Sequence, residues 1–298
     1  MTLYTQAESN IRKTWLYLTL FVALILLLGW FFANYFGSFA IFWFALFFSI
    51  FTSFFSYWYS DKVVLALTRA RPIEKSDNPE LYRIVENLCI TAGLPLPKIY
   101  ILDEAQPNAF ATGRDKDHAV IAVTQGLLEK MDKPELEGVV AHELSHIGNK
   151  DLLLETIVVV LVGLIVLLTD FFYRMSFWGR AGRRERDEEG NAIFFLIGLV
   201  LVIFAPILAQ LIKLAISRKR EFLADEAGAL LTRYPEGLAS ALEKISRDQN
   251  PLSVANNATS HLYIANPLRG SQIHGISKLF MTHPPIEERI AALREMKI

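Results

Sequence analysis

Apolar positions in this chain follow two patterns. From Thr14 to Ser60 no charged residue occurs and hydrophobic side chains fill most positions. A helix that crosses a bilayer needs about 20 such residues. Trp15–Phe36 supplies one candidate and Phe39–Tyr59 a second, with a tight uncharged turn near Asn34, Gly37 and Ser38. Trp15, Trp30, Trp58 and Tyr59 fall near the ends, where aromatic anchors collect. The block is too long and too aromatic for a cleavable signal. Two later runs, Leu152–Phe172 and Ala192–Leu211, are also of spanning length, although they contain Glu155, Asp170 and Pro206. Buried helices of a soluble core are the alternative for this pair. The uninterrupted Ile157–Leu168 and Ile193–Ala205 favour a membrane hairpin.

Elsewhere the pattern is that of a soluble body. Residues 61–76 are a charged connector. Asn78 then reads as an N-cap with Pro79 at the first helical position, and Gly93 as the stop. The helix between them turns Leu81, Ile84, Val85, Leu88 and Cys89 to one side. KIYILD (98–103), NAFATG (108–113) and HAVIAVT (118–124) read as strands, with GRDKD as a turn. Pro134 opens a helix through Ile147, residues 222–247 read as one helix, and 246–260 as a loop. The tail PPIEERIAALREM sets Ile286, Ile290, Leu293 and Met296 along one helical side, which predicts ordinary packing. Four segments result: 1–60 with two transmembrane helices, 61–151 as the first half of a soluble α+β domain, 152–216 as the apolar hairpin, and 217–298 as the second half.

Charge adds orientation. Net charge is −1 over 298 residues, so no global field favours nucleic acid. Arg12, Lys13, Lys62, Arg69, Arg71, Lys150, Lys213, Arg218, Lys219 and Arg220 all fall on one side of a four-span chain, which the positive-inside rule makes cytoplasmic. Residues 172–191 dissent, with five Arg on the opposite side. The single cysteine, Cys89, excludes an internal disulfide and suits a reducing compartment.

The candidate chemistry lies in AHELSH. His142 and His146 stand at i and i+4, one above the other on a helix, where two imidazoles can chelate one zinc ion. Glu143 lies beside the first and can reach a metal-activated water. On that helix Leu136, Val139, Val140, Leu144 and Ile147 form an apolar stripe, with the histidines on its flank. A catalytic zinc needs a third protein ligand. In SRKREFLADEAGA, Glu221 and Asp225 are again i and i+4, matching a metal-binding Glu one turn from an Asp that steadies a ligand His. The first hairpin run begins six residues after His146, roughly 9 Å along a helix axis. The hairpin ends about five residues before Glu221, roughly 7.5 Å. A membrane hairpin would therefore hold both ligand-bearing helices at one level above the bilayer.

With NAFATG, VVAHELSHI, REFLADEAGA and MTHPPIEERI in order between and after apolar segments, the chain resembles the HtpX group of membrane zinc proteases. These are relatives of the CAAX prenyl endopeptidases, and the resemblance covers nearly the whole chain. It implies a mainly helical α+β, gluzincin-like zinc protease domain with two N-terminal transmembrane helices and an inserted hydrophobic hairpin. It implies one Zn2+ held by His142, His146 and Glu221, with Glu143 as catalytic acid/base. Proteolysis of damaged or misassembled membrane proteins in a bacterial cell membrane, often under stress, is the implied role. Protein substrates and the lipid bilayer are the implied partners, and nucleic acid is not one.

Further candidates are expectations from the residues. Asp225 accepts a hydrogen bond from His142. Asn108, Ala109, Phe110 and Ala111 form an exposed edge strand for an extended substrate. His283 approaches the site as an oxyanion donor. Two other classes fit part of the pattern: a prenyl-protein processing protease sharing this chemistry, and a zinc-binding or zinc-transporting membrane protein. A transporter would carry its ligands near the bilayer midplane, whereas this motif lies between charged residues outside the apolar runs.

Overall fold

The computed structural model describes residues 3–35, 37–149, 151–157, 218–248, 250, 252–254, 259–260, 262–265, 267 and 284–296. His283 and all of both later apolar runs except 152–157 lie outside the described residues.

Two long helices open the chain, α1 (Leu3–Tyr35) and α2 (Ala40–Leu67). Gly37 makes the turn between them at φ 64°, a left-handed conformation that glycine adopts without strain. The helices lie side by side as an antiparallel hairpin: Trp15 stacks on Tyr57, and Gly29 lies against Ala45. Among the described residues one helix, α2, is long and apolar enough to cross a membrane. Its outer side carries a ladder of rings, Phe47 on Phe51 on Phe55 on Tyr59, at i, i+4 spacing. At 28 residues α2 is about 42 Å long, more than a hydrocarbon core requires. Its last turns enter the soluble body instead, where Val64 packs with Leu102, Phe110 and Tyr263.

A four-stranded sheet follows, built from β1 (Arg71–Pro72), β2 (Lys98–Leu102), β3 (Ala109–Thr112) and β4 (Val120–Thr124) in spatial order β1-β2-β4-β3. β2 and β4 are parallel; the two outer pairings are antiparallel. Between β1 and β2 runs α3 (Pro79–Ala92), whose N-cap Asn78 accepts from Leu81 N–H and whose stop, Gly93, is left-handed. Leu81, Ile84, Val85, Leu88 and Cys89 are its buried face. A short helix, α4 (Gln125–Lys130), follows β4 and is capped by Thr124 Oγ1.

The central element is α5 (Lys133–Gly148). Glu135 reaches back to the Asp132 N–H at 2.8 Å, closing its first turn. The sequence predicted an apolar stripe with a polar flank, but this helix is buried nearly all round. The sheet, α3, α6 (Arg218–Thr232) and α7 (Pro235–Arg247) enclose it. Two glycines permit that enclosure. A Cβ at Gly138 would lie 2.6 Å from Leu238 N, and one at Gly228 would lie 2.9 Å from His142 N. The single helix expected over 222–247 is two helices. Arg233 is left-handed at φ 53°, and Pro235 keeps Tyr234 out of helical geometry. The last helix, α8 (Ile286–Glu295), packs on α7 and α6.

Candidate metal centre

His142 and His146 lie on the inner side of α5, and their Nε2 atoms face each other at 3.2 Å. Glu221, in the first turn of α6, brings Oε2 to 3.9 Å from His142 Nε2 and Oε1 to 3.8 Å from His146 Nε2. One ligand atom from each residue falls within 4.8 Å of the others. A tetrahedral ion with bonds of about 2.0–2.1 Å separates its ligand atoms by about 3.3 Å, so two imidazoles and a carboxylate here fit a zinc-sized cation. All three side chains are buried. α6 comes this close because Gly228, two turns on from Glu221, lets its backbone rest against that of His142.

Each histidine has a carboxylate behind it. His142 Nδ1 lies 2.9 Å from Asp225 Oδ1, a contact of hydrogen-bond length but out of line for a straight bond. His146 Nδ1 lies 3.2 Å from Asp151 Oδ2. With Nδ1 so engaged, Nε2 of each ring is the atom that could meet a shared cation.

Electrostatics divide the groups. Burial pulls the His142 pKa down, and Asp225 offsets this only in part, so the ring is neutral, as a ligand must be. Burial also pulls at His146, but its hydrogen bond to Asp151 and the charges of Glu155 and Glu221 outweigh that and push it up to about 10. Glu143 is pushed up to about 8, first by burial and then by the nearby Glu221 and Glu155 carboxylates, against the pull of His146 and Arg289. A carboxyl shifted into this range can both take and give a proton near neutral pH.

Three residues around the centre were not singled out in the sequence. Arg289 was expected to lie on a plain packing helix. It is fully buried, bonds Asp225 twice and lies 3.5 Å from Glu221 Oε2. Arg220, counted in the sequence as a boundary charge, is buried against Asp151 and Glu155 at 3.6 Å each. Asp151, at the exit of α5, is 1% exposed. Periodicity does place Arg289 on the packed side of its helix, three residues after Ile286 and four before Leu293, but it does not show the two acids that the guanidinium meets there.

The insertion also begins differently. α5 stops at Gly148, and a new helical segment starts at 152. Leu152, Leu154, Glu155, Thr156 and Ile157 are buried within the protein. Thr156 Oγ1 is 3.1 Å from Thr112 Oγ1 on β3, and Ile157 packs on Leu18 and Phe21 of α1. The first turns of this apolar run are therefore core, not lipid-facing surface.

Asn108 and β3 were expected to be exposed. β3 is indeed the outer strand, but all four of its residues are buried. Ile264 N–H bonds the Ala109 carbonyl at 2.9 Å, and Asn108 Nδ2 donates to the Ala265 carbonyl at 3.1 Å. The register, with Thr124 N–H on Asn108 O, turns the backbone groups of Ala109 and Ala111 away from β4.

The model of peptidase family M48 matches residues 75–297. A protease HtpX homolog of Caldanaerobacter subterraneus is 46% identical over 301 residues, covering 100% of this chain and 99% of its own. Another from Dictyoglomus thermophilum is 48% identical over 297 residues, covering 99% and 95%. Among solved structures, S. mikatae Ste24p aligns with a TM-score of 0.47 at 19% identity, over 97% of this chain and 67% of that one. With the family match spanning most of the chain and relatives of nearly half identity spanning all of it, the chain belongs to peptidase family M48 and is a membrane metalloprotease of the HtpX type.

Proposed function

We propose that this protein is a membrane-anchored zinc endopeptidase whose active site faces the cytoplasm of a bacterial cell. On this reading it is multi-pass in the inner membrane and removes damaged or misassembled membrane proteins. The observation that carries the proposal is the convergence of His142 and His146 from α5 with Glu221 from α6 around one cation-sized space, with the buried Glu143 on the same turn as His142.

His142, His146 and Glu221 would hold one Zn2+, which supplies Lewis acidity and acidifies a water at neutral pH. Glu143 acts as general base, taking the proton of the attacking water, and then as general acid, returning it to the leaving amine. Burial raises its pKa and a bound cation would lower it again, so the carboxylate can accept the water's proton and later return it. Asp225 orients His142 through Nδ1. Ala111, and Ala109 once the Ile264 segment yields it, offer backbone groups to an extended substrate added at the outer edge of β3. His283 completes the set as an oxyanion donor.

The two-span anchor is supported by the length of α1 and α2 and by the rings on α2. Arg12, Lys13 and Lys62 at the soluble-body ends support the cytoplasmic orientation. The domain layout follows: 1–60 as anchor, 61–151 and 217–298 as the two catalytic halves, and 152–216 as a hairpin between them.

The test is digestion of casein and of an unfolded membrane protein by the full chain, purified in detergent with zinc. Cleavage that a chelator stops and zinc restores is expected; cleavage indifferent to chelator would remove the proposal.

A further inference from the structure

The two imidazoles of the centre are backed in parallel ways. Behind His142 stand Asp225 and Arg289; behind His146 stand Asp151 and Arg220. Only the first carboxylate belongs to the motif read from the sequence. The geometry points to Asp151 and Arg220 as a positioning pair for His146. This inference rests on the metalloprotease reading of the same site.

A ligating imidazole uses one ring nitrogen, and the group that receives the other fixes its tautomer and its aim. His146 turns Nε2 toward His142 Nε2 at 3.2 Å, which leaves Nδ1 for Asp151 Oδ2 at 3.2 Å. Asp151 is itself held at the point where the chain leaves α5. Its N–H bonds the His146 carbonyl at 3.1 Å, and its own carbonyl receives the Glu155 N–H at 3.1 Å. The carboxylate is therefore tied to the backbone of the residue whose ring it orients.

Burying this carboxylate is costly without a countercharge. Arg220 supplies one: Nη1 lies 3.6 Å from Asp151 Oδ1, and Nη2 lies 3.6 Å from Glu155 Oε1. Arg220 is also the residue before Glu221. The ion pair that steadies Asp151 thus sets the height of the third ligand against the second, across the two ends of the apolar insertion. Neither residue is placed to touch substrate, so their effect runs through the ligands.

The test uses the full chain in detergent. Zinc affinity is read by competition with a chromogenic chelator, and ligand geometry by the visible absorption of the cobalt(II)-substituted protein. Asp151→Ala is expected to weaken zinc about 10- to 100-fold and to alter the cobalt bands. Asp151→Asn, which still accepts from Nδ1–H, is expected to recover most of the affinity. Arg220→Met weakens zinc as well, and adding it to Asp151→Ala costs less than it does in the parent, because the Asp151 pair is lost only once. Affinity of Asp151→Ala within about twofold of the parent, with unchanged cobalt bands, would overturn the assignment. Strictly additive losses in the double variant would also overturn it. Should Asp151→Ala not fold, Arg220→Lys and Arg220→Met decide the matter. Loss in the second with recovery in the first supports the pair; parental affinity in both defeats it. A parent protein that binds zinc but cleaves nothing would defeat the protease reading and leave this assignment standing.

Discussion

Arg289 holds both oxygens of Asp225, Nε to Oδ2 at 2.8 Å and Nη2 to Oδ1 at 2.7 Å, with its own side chain wholly removed from water. Burial alone would raise the Asp225 pKa; the guanidinium outweighs it and keeps the carboxyl below its ordinary range. The remaining nitrogen, Nη1, donates to the Ile264 carbonyl at 2.7 Å, and Ile264 in turn bonds the outer strand at Ala109. One side chain from the C-terminal helix therefore links a histidine's carboxylate to the strand proposed to receive substrate. Arg289→Ala strands a buried carboxylate and is expected to cost about 3–5 kcal/mol of stability. Thermal unfolding in detergent measures it. A loss under about 1 kcal/mol, the level of an exposed ion pair, would mean that the pair is not the buried clamp described here.

Glu143→Gln keeps the shape of the side chain and removes the proton-carrying group. Zinc content should be unchanged while cleavage falls by about 100-fold or more. Metal analysis alongside a peptide assay checks both parts, and a variant cutting at the parental rate would take the base role from Glu143.

Zinc uptake should expel protons. In chelator-stripped protein at pH 7, His146 with its pKa near 10 and Glu143 with its pKa near 8 are both protonated, whereas His142 is neutral. A ligating imidazole must be neutral, and a nearby divalent cation favours the carboxylate. Zinc binding at pH 7 should therefore release roughly one to two protons, the first from His146 and part of a second from Glu143. The Glu143 share fades above about pH 8 and the His146 share above about pH 10, so affinity climbs with pH up to that point. Titration calorimetry in buffers of different ionisation enthalpy counts the protons; zero release at pH 7 would contradict the electrostatics.

Gly228→Ala places a methyl 2.9 Å from His142 N, and backbone on both sides prevents relief. The expected cost is about 1–3 kcal/mol, together with weaker zinc binding as Glu221 is pushed off the histidines. Gly148→Ala, whose nearest new neighbour would be Leu94 Cδ1 at 4.0 Å, is the control and should lose neither. Equal behaviour of the two variants in thermal and zinc titrations would argue against the close helix contact as the cause.

Ala111→Pro removes one outward backbone N–H from β3. If substrate pairs there, KM should rise several-fold with little change in kcat. An unchanged KM would discard edge pairing.

Much of the soluble body was legible because local rules are strong where they operate. Asn78-Pro79 and Gly93 bound α3 through capping and left-handed backbone, and its five apolar positions are its buried face. The strands at 98–103 and 118–124 announced themselves by β-branched runs. The break at Arg233 was less visible, since a proline two residues after an arginine reads equally well as the first turn of a helix or as an interruption. α5 misled for another reason. Its stripe was real, but a helix packed on every side needs small residues at its contacts, and Ala141 and Gly138 do not register as apolar signal.

The sequence by itself determined the pair of histidines, since i, i+4 spacing on a helix aligns two side chains whatever surrounds it. It likewise determined the Glu221–Asp225 spacing and the long apolar stretches. Only the tertiary structure decided that Asp151, Arg220 and Arg289 stand behind the two histidines. Asp151, Arg220 and Arg289 come from a helix exit, a helix start and the C-terminal helix. Their meeting depends on how α5, α6 and α8 pack, and packing is a property of distant surfaces that no local pattern encodes. The burial that shifts Glu143 has the same origin: a carboxylate's surroundings are built by the whole fold, whereas its position on a helix is fixed by its neighbours in the chain.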